Sequence, residues 1–480
     1  QGVLRNLVSR GVVVVTFNYR LGMLGFFTTY TSAFPANRGF FDQLLALRWV
    51  QEEIANFGGD PNRVTIFGES AGSSAVSTLS LSPLAQGLFH QTIQESGAIM
   101  MEFETIDDPR GSIHKNRALQ LCNITAAEWA RSDIEYRLAI CLANKTAADF
   151  TVLDTEGLEW SASLDGAFLP DIPSELAKNI TRGPTIIGDT TDEYGIMMGG
   201  LKTGDISIYN RSFFSIELKD RFPYYDNETI EQMAELLIAA YNVGPPLAED
   251  DYTGWAKLVS SAFSGLLYAS YLGRDLQWRF DNGLEDVYLY TFNHSSTIGD
   301  RTCAPRNVNG WRPAIHTAEL CSLWMFSYVF DPAVAEGRLD NAEVELADRM
   351  GRMWTDFAKT GNPGWEKAGW NRKFVTIDAD GLKEGVQWRE TARVLVNIAL
   401  PSMLDQFPRT PMTNESWTLV QKTGAKILSH WNAYARGDLT VTTVSPTIAD
   451  EERYTTTSMK RAVYSFVRST SPDAFYSSII

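Results

Sequence analysis

The sequence predicts an α/β fold in which a central, mostly parallel sheet is flanked by helices. Three observations carry that reading. Short β-branched runs are apolar throughout, as strands covered on both faces require. Strand and helix signals alternate between residues 11 and 81, the pattern of a parallel sheet built from strand–helix–strand units. A Gly-x-Ser-x-Gly motif, Gly68-Glu-Ser-Ala-Gly72, stands where one such strand meets a helix.

The elements follow in order. Gly11-Val-Val-Val-Val-Thr-Phe17 reads as a buried strand, followed by a loop rich in glycine and aromatics through Phe27. Asp42 to Phe57 reads as a helix. Its apolar residues Leu44, Leu47, Val50, Ile54 and Phe57 recur every three or four positions, and Gly58-Gly59 stops it. Val64-Thr-Ile-Phe67 is a second strand, and Ala71 to Leu81 a small-residue helix that can pack closely. Thr185–Gly188 and Val287–Phe292 are further strand candidates. Residues 200–283 are mainly helical between them, for example Thr229 to Ala240. Leu419 to Tyr434 is a helix candidate weakened by Gly424. From Gly437 the chain is Thr/Ser-rich, so we divide it into a main domain, 1–436, and a peripheral extension, 437–480. There is no internal repeat and no low-complexity linker.

Of the 480 residues, 44% are hydrophobic, enough for a large core. A net charge of −16 argues against nucleic acid, which needs a basic face. We read the acidity first as a solubility device and second as a field that draws cationic substrates. No apolar run reaches the roughly 18 residues of a membrane span. Seven Asn-x-Ser/Thr sequons occur, at Asn123, Asn144, Asn179, Asn210, Asn227, Asn293 and Asn414. Chance would supply roughly two or three. With four cysteines, Cys122, Cys141, Cys303 and Cys321, they point to secretion or a secretory-pathway lumen. The chain opens on Gln1 without a signal peptide and is expected to be N-terminally incomplete. Its last residues, Ala474 to Ile480, form neither an anchor nor a retention signal.

The motif at 68–72 predicts the strand–turn–helix elbow of an α/β-hydrolase. A sharp turn holds Ser70 in a strained conformation, and side chains at Gly68 or Gly72 would clash with their surroundings. Ser70 Oγ is then exposed at a helix N-terminus, where the Ala71 N–H favours a developing oxyanion. A hydroxyl is a weak nucleophile and needs a base, and the base needs an orienting acid. In this fold the chain order is Ser, acid, His. Asp189, Asp192 and Glu193 all follow the strand ending at Gly188, where carboxylates at strand ends do chemistry. His90 and His114 come too early, and His430 sits inside a helical stretch. His294 and His316 remain, with a lean to His316 because a Pro-led loop can aim it. No His/Cys cluster has metal-ligand spacing, so neither metal nor cofactor is implied.

At these residues the chain resembles the type-B carboxylesterase and cholinesterase family, from about Gly11 to about Arg436. The markers are Asn18-Tyr-Arg-Leu-Gly22, Phe57-Gly-Gly-Asp-Pro61, Phe67-Gly-Glu-Ser-Ala-Gly72, Gln94-Glu-Ser-Gly97, Asp192-Glu193 and His316-Thr-Ala-Glu-Leu320. The resemblance implies Ser70 as nucleophile, Glu193 as acid and His316 as base. It implies Ser96 as a hydrogen-bond partner behind the acid, Glu69 as a charge beside the nucleophile, and a Cys122–Cys141 disulfide. A Cys303–Cys321 pair, flanking His316, is expected as well. Tyr194 departs from the family, which usually has Gly after the acidic pair. A second departure is larger. Family members carry a His-Gly-Gly-Gly-type strand upstream, between the strands at 12–17 and 64–67, which supplies oxyanion donors. Without it the chain as it stands is expected to be unstable and nearly inactive, and the intact gene product an active esterase. The implied activity is hydrolysis of small-molecule carboxylic esters through an acyl-enzyme. The alternatives are a cholinesterase, with Trp160 near the acyl side of the pocket, and a catalytically inactive adhesion protein on the same fold. Oligomeric state is not legible here.

Overall fold

A computed structural model describes residues 2–395 except 100–102, 105–110, 130, 155–159, 161, 182, 223–224 and 299–306. The boundary at 436/437, the helix candidate 419–434, His430, Asn414 and Cys303 lie outside the described residues.

Among the described residues the main sheet has six strands: β1 (Thr65–Glu69), β2 (Gln91–Glu95), β5 (Thr185–Thr190), β6 (Val287–Phe292), β7 (Phe374–Asp378) and β8 (Gly381–Gly385), in that spatial order. A separate two-residue pair joins β3 (Phe103–Glu104) to β4 (Ala162–Ser163). All neighbours in the main sheet are parallel except the β7–β8 hairpin. The helices that matter for the site are α1 (Arg38–Glu53), α2 (Ala71–Leu81), α3 (Tyr252–Ser264), α4 (Ser270–Asp281), α5 (Ala318–Trp324) and α6 (Asn341–Thr360).

Strand side chains alternate between the two faces of a sheet, so each face collects every second residue. Ile187, Val287 and Leu289 bury against Leu272, Leu276 and Phe280 of α4. Ile186, Tyr288, Tyr290 and Phe292 bury against Leu346, Met350, Met353 and Phe357 of α6. The sheet is therefore covered on both sides, as the continuous apolar runs require. A further helical layer, 199–264, closes over its own core around Phe214, Met233, Leu237 and Phe263.

Helix α1 begins at Arg38 rather than Asp42, because Phe40 joins the core against Phe26 and Phe168. It ends in a 3₁₀ turn, Ile54–Phe57, capped by Gly58 at φ 81°.

The predicted strand at 11–17 is absent. These residues belong to no strand, and no backbone hydrogen bond joins residues 12–17 to a described strand. A strand exists only through its ladder. Between 12–17 and β1 lies a cavity of about 320 Å³, walled by Val12, Val14 and Val15 on one side and Val64, Thr65 and Phe67 on the other. Helices α1 and α6 close it with Leu47, Val50, Trp354 and Ala358.

Candidate active site

Ser70 follows β1 directly, at φ 58° and ψ −121°, and leads into α2. A non-glycine residue reaches that region only under strain. The surroundings hold it there. Ser70 N–H donates to the Glu95 carbonyl at 2.8 Å. A Cβ on Gly68 would lie 2.5 Å from the Gly72 carbonyl carbon, so only glycine fits the crossing of strand and helix. Ala71 opens α2, and its N–H has no intrahelical acceptor.

Glu193 opens a 3₁₀ turn just beyond β5 and is fully buried. Its Oε1 accepts from Ser96 Oγ at 2.5 Å and from Thr190 N–H at 2.6 Å. Its Oε2 lies 2.5 Å from His316 Nδ1. The acid and base loops are also pinned by backbone: Asp192 N–H donates to the Ala314 carbonyl at 2.9 Å, and His316 N–H to the Glu193 carbonyl at 3.3 Å. The expected Ser96–Glu193–His316 chain is thus assembled. Among the described residues, no hydrogen bond joins Ser70 Oγ to His316. The Nε2 atom instead lies 3.1 Å from Glu69 Oε1, a charge contact without hydrogen-bond alignment.

The alternatives from the sequence are engaged elsewhere. Asp192 accepts from Ser260 Oγ at 3.0 Å, and Asp189 from Arg389 Nε at 2.8 Å. His294 lies 3.1 Å from Glu343 Oε1, away from the acid turn. His90 Nδ1 accepts from Val64 N–H, and His114 packs among Phe27, Tyr30 and Trp160. Trp160 is shared between two apolar clusters and serves as packing there. Cys122 and Cys141 form a disulfide. Cys321 is disulfide-bonded too.

Burial alone would lower the His316 pKa, but Glu69 and Glu193 together outweigh it and push the imidazole up to about 9. Burial raises Glu69 to about 7; His316 pulls it down and Glu193 pushes it up. Two further buried carboxyls stand near Glu69 and Glu193. Glu95 accepts from Trp354 Nε1 at 2.8 Å and is raised by burial to about 8. Glu319 is raised well above the ordinary range by burial and its carboxylate neighbours. Sequence reasoning missed both, because Glu in a strand or helix reads as a solvated position.

Sequence reasoning also missed Tyr268. Its ring centroid is 5.0 Å from that of His316, and it sits on a π-helical turn, Gly265–Ala269, between α3 and α4. Nothing in the residue pattern announces such a turn.

Chemically, the site offers a strained hydroxyl, a helix N-terminus and an imidazole oriented by a buried carboxylate, the components of nucleophilic acyl transfer. Residues 4–387 match the model of the carboxylesterase family. Carboxylesterase 5A of Canis lupus familiaris is 31% identical over 364 residues, covering 74% of this chain and 59% of that protein. The medium-chain fatty acyl-CoA hydrolase precursor of Anas platyrhynchos is 31% identical over 394 residues, covering 76% and 64%. Carboxylesterase 1C of Rattus norvegicus is 34% identical over 367 residues, covering 74% and 61%. The chain thus spans less than two thirds of the length of these relatives.

Proposed function

The chain belongs to the carboxylesterase family, and from that premise we propose that it hydrolyses carboxylic esters of small molecules through an acyl-enzyme on Ser70. Ser70 Oγ attacks the ester carbonyl while His316 Nε2 takes its proton. The oxyanion is held by Ala71 N–H at the head of α2. His316 then gives the proton to the leaving alcohol, and the C–O bond breaks. Water, losing a proton to the same nitrogen, attacks the acyl carbonyl and releases the acid. Glu193 keeps the imidazole oriented and stabilises its cation.

The observation that carries the reading is the 2.5 Å contact between His316 Nδ1 and a fully buried Glu193, beside a serine held at positive φ. For the first step, Nε2 must turn from Glu69 towards Ser70. The names of the relatives point to ester and thioester substrates. Sequon residues Asn123, Asn144, Asn179, Asn227 and Asn293 are exposed, which supports passage through the secretory pathway.

The test uses protein from a secretory host, with a fluorophosphonate probe and a short-chain nitrophenyl ester. Ser70 should carry the label, and Ser70→Ala should lose about 10⁴-fold or more of the turnover. A second reading, a catalytically inactive member of the fold, is favoured by the Nε2–Glu69 contact. An unlabelled Ser70 in wild-type protein would establish it. Comparing choline esters with neutral esters of the same acyl group tests the cholinesterase alternative.

A further inference from the structure

We infer that one face of the α3–α4 rod sets the acid and the base in register, and that Tyr268 is the positioning residue that fixes the imidazole of His316. The inference rests on the proposed role of His316 as base. Three residues at four-residue spacing, Ser260, Ser264 and Tyr268, fall on one face of the rod. Each touches the site. Ser260 Oγ donates to Asp192 Oδ1 at 3.0 Å. Ser264 Oγ accepts from Tyr194 N–H at 2.9 Å. The Tyr268 ring packs on the imidazole at 5.0 Å between centroids, tilted by 50°. The residues before and after Glu193 and the ring of His316 are thereby held by a single rigid element.

The π-helical turn belongs to this arrangement. A wide turn inside a helix re-aims the side chains that follow it, and such turns recur at functional sites. It is locally packed: a Cβ on Gly265 would lie 1.7 Å from Tyr241 Oη, so a larger residue there would have to displace that side chain. Tyr194, where the family resemblance expected glycine, adds a second fastening. Its ring stacks on Phe263 of α3 at 4.9 Å, and its hydroxyl meets Glu217. Tyr268 is half-buried, and its ring shields one side of an imidazole that Glu193 and Glu69 also face, with Glu319 nearby from α5.

The experiment compares Tyr268→Phe, Tyr268→Leu and Tyr268→Ala in the full chain. Three readouts serve: nitrophenyl-ester kinetics, fluorophosphonate labelling and NMR titration of the five histidines. Tyr268→Phe keeps the ring and should retain kcat within about twofold. Tyr268→Ala should lower kcat by about 10–100-fold with KM little changed, the size expected when a reacting group is held loosely. Labelling should slow in parallel. Removing the ring hydrates the imidazole, which weakens the depression from burial and also screens the stronger pull of Glu69 and Glu193 that holds the ring up. The His316 titration and the acid limb of kcat/KM should both move down, towards the ordinary imidazole range. Tyr268→Leu, which preserves apolar volume and folding, should fall between the two. Wild-type kcat and an unmoved His316 titration in the Leu and Ala variants overturn the inference, as does a loss in Tyr268→Phe equal to that in Tyr268→Ala. If wild-type Ser70 takes no label, the proposed esterase function fails instead. The His316 titration still decides whether Tyr268 packs on and shields the ring.

Discussion

His316 faces a carboxylate at each ring nitrogen, Glu193 at Nδ1 and Glu69 at Nε2. Both favour the protonated ring, yet a general base has to be neutral before it can accept a proton. With Glu69 ionised, His316 is held up to about 9, so kcat/KM should rise with pH through the alkaline range. Glu69→Gln removes one of the two anions that raise the imidazole. The folded-state pKa then falls, the neutral base becomes available at lower pH, and the acid limb should move down by about one unit, equivalent to about 1.4 kcal/mol of lost interaction. A pH–rate profile of the two proteins checks this; a limb that stays put or moves up would show that Glu69 does not govern the base. The same residues show what was legible in sequence. Ser70 stands out in the sequence because two glycines and a strand–helix junction surround it. Spacing alone leaves Asp189 and Asp192 beside Glu193, and His294 beside His316, since side-chain partners such as Ser260 and Glu343 are set by packing that spacing does not encode.

At the scale of elements, β2 is the instructive failure of hydrophobic patterning. Gln91-Thr-Ile-Gln-Glu95 is mostly polar, yet every residue is buried and the strand lies inside the sheet between β1 and β5. The side chains of Thr92 and Gln94 join a buried polar network. Gln94 Nε2 and Ser77 Oγ both donate to Asp275 Oδ2, at 3.1 and 2.6 Å, and Arg279 Nε donates to Asp275 Oδ1 at 2.9 Å. Arg279 also reaches Thr185, which bonds Thr92 across the ladder. A buried network of this kind is tolerated only while every member is satisfied. Asp275 and Arg279 are each about 1% exposed, so Asp275→Ala strands a buried guanidinium and should cost about 3–5 kcal/mol. Replacing the pair together, Asp275→Leu with Arg279→Met, should cost much less, because no charge is left unpaired. Melting temperatures of the single and double variants measure the difference; equal losses would mean that the pair acts through shape alone. The run at 11–17 fails in the opposite sense. Its valines read as a strand, but among the described residues no ladder partner meets them.

At the scale of the whole molecule, the fold class and the two-sided burial of the sheet followed from alternation and apolar runs. The strand order followed from neither, because ladder partners are chosen by long-range packing. That order matters for β1, which delivers Ser70. It is paired with β2 on one side. On the other side it faces the cavity of about 320 Å³ beside residues 12–17. Backbone groups left unpaired in an apolar setting cost about 1–3 kcal/mol each. Amides of residues 12–17 should therefore exchange with solvent far faster than those of β5 and β6, which are paired on both sides. The consequence reaches the chemistry, because the strain at Ser70 persists only where the surrounding sheet over-determines it. With β1 open on that side, the protein should melt early and turn over a short-chain nitrophenyl ester weakly, while Ser70 still takes a fluorophosphonate label slowly. Robust turnover, with strong exchange protection at 12–17, would show that β1 needs no further partner and that the open side of the sheet is functionally complete.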